Sequence, residues 1–93
     1  MDRDTALALL ESHHRFPGFF DFRVVVPSTD KELTVSAMVA GAGPGARVED
    51  VTERVSKKGN YLALRVRIHL DSAGRVLDVY EVLNSLEHVL TAM

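Results

Sequence analysis

The sequence predicts one small α+β domain: a four-stranded antiparallel sheet with two helices on one face, in βαββαβ order, plus a short extra helix at the N-terminus. Three observations carry this reading. Residues 19–26 and 61–70 alternate apolar and polar side chains with a period of two, as half-buried strands do. The stretches after Asp30 and after Gly74 repeat their apolar residues at helical spacing. Clusters of Pro, Gly, Ser and Asp separate these segments.

The chain has 93 residues, enough for one core and no more. Residues 1–15 read as a helical extension and 16–93 as the single domain. The apolar fraction of 46% and charged fraction of 26% are those of an ordinary globular protein. With no cysteine, neither a disulfide nor a thiolate nucleophile or metal site is available. The Met1-Asp2-Arg3-Asp4 start does not resemble a signal peptide. No apolar run approaches the roughly 18–20 residues that span a bilayer. A cytoplasmic protein with no membrane attachment is therefore expected. The net charge of −2 gives no global attraction to nucleic acid, so any basic function must be local.

Taken in order, Asp4 to Ser12 form the extra helix, capped by Asp4 or Thr5 and ended before Pro17-Gly18. Phe20, Phe22, Val24 and Val26 give the first strand its inward face. Thr29 and Glu32 have capping-box spacing at the start of the next helix. Leu33, Ala37, Met38 and Ala40 are its expected apolar face, and Gly41 to Gly45 its stop. A second strand is expected from about Val48 to Val55, with Val51 and Val55 inward. Its alternation is diluted by Glu49, Asp50, Glu53 and Arg54. Ser56 to Asn60 read as a hairpin turn, with Gly59 and Asn60 suited to positive φ.

The third strand, Tyr61 to Leu70, has the cleanest pattern: Leu62, Leu64, Val66, Ile68 and Leu70 on one side, Ala63, Arg65, Arg67 and His69 on the other. Val76, Val79, Tyr80, Leu83 and Leu86 are the buried stripe of the last helix, which ends at Asn84 or Ser85. Glu87 to Met93 are read as a fourth strand. Such an arrangement usually adopts the strand order 4-1-3-2, leaving one sheet face open.

Three stretches are less generic. Phe16-Pro17-Gly18-Phe19-Phe20-Asp21-Phe22-Arg23-Val24 resembles the first-strand entry of the YbeD-like family of small bacterial proteins, and Ser56-Lys57-Lys58-Gly59-Asn60-Tyr61 resembles that family's hairpin. The segment carrying Tyr80, Glu81, Leu83, Asn84, Leu86, Glu87 and Val89 is similar as well. The resemblance implies a ferredoxin-like fold similar to ACT regulatory domains, in a family with no assigned activity and no catalytic residues to carry over. Val26 stands where the family tends to have Gly, which argues against an amino-acid site at that turn. Lys57 makes the hairpin more basic than the family pattern requires.

Catalytic arrangements are hard to find. His13 and His14 are adjacent and so lie about 100° apart around a helix. His69 and His88, placed on strands three and four, have strand one between them and are read as surface residues. No serine sits in a Gly-x-Ser-x-Gly elbow, and no pair of carboxylates has a spacing that fixes a glycosidase site. Gly41 to Gly45 follow a helix, whereas a phosphate loop leads into one. No enzyme activity, metal or cofactor is expected.

The open sheet face is the candidate. Arg23, Arg65, Arg67 and His69 project from it, Arg54 joins them in the chosen register, and Lys57 and Lys58 extend the charge to the hairpin. Its plain alternative is a solvated face neutralised by Asp21 and water. The expected function is a non-catalytic regulatory or protein-interaction module that self-associates through the second strand or through the open faces. An amino-acid or anion effector site at a dimer interface is the alternative. RNA ranks last, because the outward positions Ala63, Arg65, Arg67 and His69 offer no stacking platform.

Overall fold

The computed structural model describes residues 2–93. Its elements are α1 (Arg3–His13), β1 (Gly18–Pro27), a 3-10 turn (Ser28–Asp30), α2 (Lys31–Ala42), β2 (Arg47–Val55), β3 (Tyr61–Leu70), α3 (Ala73–Ser85) and β4 (Thr91–Ala92). The four strands are antiparallel in the order β2-β3-β1-β4. This is the expected 4-1-3-2 order read from the other edge, a ferredoxin-like βαββαβ arrangement.

The period-two pattern decides which face is buried. Phe22, Val24 and Val26 of β1 meet Val66, Leu64 and Leu62 of β3 across the central pair, with Ile68 and Leu70 continuing the row. Met38 and Ala42 of α2 and Val76, Val79 and Leu83 of α3 cover them. The helices α2 and α3 pack closely at Gly41, where an added Cβ would lie 2.6 Å from Val82 Cγ2. Helix α1 lies against α3, tied by Arg3 to Asp78 at 3.4 Å, and its Leu10 packs on the core with Phe16.

Several local expectations are corrected. Asp2, ahead of the expected Asp4 or Thr5, caps α1, its carboxylate accepting from the Thr5 amide at 2.7 Å. The Thr29–Glu32 capping box does not form: the chain makes a 3-10 turn through Ser28–Asp30 and α2 begins at Lys31 with no side-chain cap. That shift rotates the helix, so Thr34, Met38 and Ala42 face inward while Leu33 is 59% exposed and Ala40 is exposed. Helix α2 also runs through Gly41 to Ala42 before Gly43 ends it.

Strand β2 contains a bulge between Val48 and Asp50, which displaces Glu49 and accounts for the diluted alternation. Val51 is half-buried, but Val55 is 54% exposed because the strand lies at the sheet edge. In the hairpin only Gly59 has positive φ; Asn60 does not. The fourth strand is two residues long, Thr91–Ala92 opposite Val25 and Val24, rather than the expected Glu87–Met93. Residues 86–89 instead form turns, with Val89 N–H donating to the Leu86 carbonyl at 3.2 Å.

Candidate functional site

The side of the sheet away from α2 and α3 is built in rows fixed by strand register. One end carries Phe19, His69 and Arg47. Next come Asp21, Arg67 and Asp50, then Arg23, Arg65 and Thr52. Beyond them lie Thr91, Val25, Ala63 and Arg54, and Pro27 with Tyr61 closes the face. Arg23, Arg54, Arg65, Arg67 and His69 therefore share one surface. Met93 flanks Arg23, the two exchanging backbone hydrogen bonds of 2.7 Å.

The arginines are not equivalent. Arg67 is neutralised locally: its Nε donates to Asp21 Oδ1 at 2.8 Å and its Nη2 to Oδ2 at 3.2 Å. The hydrogen bond from Arg67 holds the Asp21 carboxyl below the ordinary carboxylate range, and the charges of Arg65 and Arg23 add to this. Arg65 has a looser partner, Asp50, at 3.9 Å. Among the described residues Arg23 and Arg54 form no ion pair. These three, with Ala63, line a shallow depression of about 520 Å³. Glu53 borders it too, but its carboxylate bonds Lys31 of α2 on the helix side.

At the far end the Arg47 guanidinium sits 5.9 Å from the Phe19 ring centroid, and His69 meets that ring edge-on at 5.2 Å. Phe19 is 43% exposed. Phe19 is not among the face residues expected from the sequence, although odd-numbered parity with Asp21 and Arg23 places it outward.

The hairpin is held by hydrogen bonds within itself and to Ser28. Ser56 accepts from the Gly59 amide at 2.9 Å through its carbonyl and from the Tyr61 amide at 3.0 Å through Oγ. The carbonyls of Gly59 and Asn60 accept from Ser28 Oγ and N–H. Lys57 and Lys58 remain exposed at the tip.

The histidines are dispersed. His14 packs edge-on against Phe20 at 4.9 Å, and His13 lies at the exposed end of α1. His88 occupies a turn, not a strand, and its Nε2 is 2.8 Å from Oγ1 of the fully buried Thr34. Among the described residues no three His, Asp or Glu side chains are grouped to hold a metal ion.

The sequence model of DUF493, described as a protein family of unknown function, matches residues 11–93. The chain belongs to the DUF493 family. The match takes in the last turn of α1, the whole open face and the hairpin of this DUF493 chain. No curated protein matches it. Among the described residues no helix is long and apolar enough to cross a membrane.

Proposed function

We propose that this DUF493 domain is a non-catalytic regulatory module, ACT-like in kind, that docks an acidic segment of a cytoplasmic protein on its open sheet face. The observation that carries the reading is the Arg23–Arg54–Arg65 cluster around Ala63. Arg23 and Arg65 stand directly opposite each other on neighbouring strands, an arrangement that repels. The one well-seated acid on the face, Asp21, is spent on Arg67. A carboxylate-bearing segment lying across β1, β3 and β2 relieves that repulsion and gains charge-assisted hydrogen bonds.

The depression is shallow and bordered by Val25 and Met93, which suits an extended chain with mixed acidic and apolar residues. Single-stranded RNA fits less well. The exposed aromatics Phe19 and Tyr61 stand at opposite ends of the face, roughly 27 Å apart at strand rise, too far to stack neighbouring bases.

The test is affinity capture from the native cell with the wild type and with an Arg23→Glu, Arg65→Glu variant of equal stability. A protein with an acidic stretch, retained by the wild type, released by salt and absent with the variant, supports the reading. An identical set of retained proteins contradicts it.

A further inference from the structure

We infer that a second copy of this chain pairs antiparallel along the free edge of β2, with the twofold axis at Thr52. This pairing rests on the β2 edge and shares one residue with the docking face: Arg54 is paired across the dimer, which leaves Arg23 and Arg65 for a docked segment. Strand β2 is a sheet edge nine residues long, whereas the opposite edge, β4, has two residues. A long edge offers a row of unpaired backbone groups to another strand.

Backbone geometry limits how two such edges meet. The Ser56 amide donates to the Tyr61 carbonyl at 2.9 Å. Alternation along an antiparallel ladder then turns the backbone groups of Thr52 and Arg54 toward β3, and those of Val51, Glu53 and Val55 toward the free edge. A symmetric ladder must oppose free-edge residues to free-edge residues, so the axis falls on a residue; at Asp50 or Arg54 that charged residue would meet its own copy, which leaves Val51, Thr52 and Glu53. Counting past the bulge, an axis at Val51 sets Arg54 against Arg47 of the other copy, and an axis at Glu53 sets the two Glu53 side chains together. Both repel.

The axis at Thr52 removes that conflict. It sets Asp50 opposite the other copy's Arg54, twice by symmetry, with both side chains on the open face. Arg54 has no ion pair among the described residues, and Asp50 has only Arg65 at 3.9 Å. The same register brings Val55, 54% exposed, beside the other copy's Val48, 36% exposed. It also closes the groove between α2 and β2 lined by Val35, Ser36 and Val51. The bulge at Glu49 ends the ladder, and the twofold closes the assembly as a dimer.

Sedimentation equilibrium at tens to hundreds of micromolar is the test, with circular dichroism melts to show that each variant is folded. The wild type is expected at twice the chain mass. Asp50→Arg and Arg54→Asp are each expected as monomers, because like charges then face each other. An equimolar mixture of those two variants is expected to regain the dimer, since the two basic side chains of one variant then face the two acidic side chains of the other. A monomeric wild type, single variants that still dimerise, or a mixture that stays monomeric each overturns the inference.

Discussion

Asp21 and Arg67 stand opposite each other on β1 and β3 and form a two-pronged ion pair, Nε to Oδ1 at 2.8 Å and Nη2 to Oδ2 at 3.2 Å. The pair divides the open face: Arg67 is satisfied within the fold, Arg65 has only the looser Asp50 at 3.9 Å, and among the described residues Arg23 and Arg54 form no ion pair. Asp21→Asn is expected to destabilise the domain by about 0.5–1 kcal/mol, as exposed pairs do. Because the Asp21 carboxyl is held below its ordinary value, its contribution is present above that value and lost as pH falls through the lowered one. Urea unfolding at about pH 7 should separate wild type from variant, and the gap should narrow as acidification protonates the Asp21 carboxylate.

Thr34 and His88 predict a tautomer. Thr34 Oγ1 donates its single proton to the Asp30 carbonyl at 2.7 Å, so at 2.8 Å it accepts from His88 Nε2. Nitrogen-detected NMR should find the proton on Nε2 of the neutral ring. Thr34→Val leaves that N–H without its partner, and a loss of about 1–2 kcal/mol is expected in chemical denaturation.

Gly41 tests the packing of α2 on α3. Alanine is the better helix former by about 1 kcal/mol, yet its Cβ would sit 2.6 Å from a stiff β-branched side chain, Val82. Gly41→Ala is therefore expected to lower the melting temperature. Adding Val82→Ala should recover part of the loss, and equal losses in single and double variants would contradict the steric account.

Much of the fold was legible because β1 and β3 bury one face of a two-sided sheet, and a period of two then fixes every residue from Phe20 to Val26 and from Leu62 to Leu70. What failed was local. The start of α2 depends on competition between a capping box and the 3-10 turn Ser28–Asp30, and the turn moved Leu33 outward and Thr34 inward. The bulge diluted the alternation of β2 without marking its own place at Glu49, and the Thr34–His88 bond joins residues 54 apart that no spacing connects. On the candidate face, strand parity placed Arg23, Arg65 and Arg67 together, but which arginine Asp21 would satisfy depends on register, and the depression over Ala63 depends on three strands at once.

Filling that depression gives a sharp contrast. Ala63 is exposed, so Ala63→Leu should change stability by no more than about 0.5 kcal/mol. Binding of an acidic partner should nevertheless fall at least tenfold, read by calorimetry. Unchanged binding would place the contact elsewhere.

The most direct test of the docking face is a ¹⁵N NMR titration of the wild-type domain with a short peptide of alternating glutamate and valine, at low and at high salt. Shifts confined to the amides around Arg23, Arg54, Ala63, Arg65 and Thr91, weakened by salt and absent in the Arg23→Glu, Arg65→Glu variant, are the result the account predicts. Shifts centred on α2 and α3, or the same shifts in the variant, would contradict it.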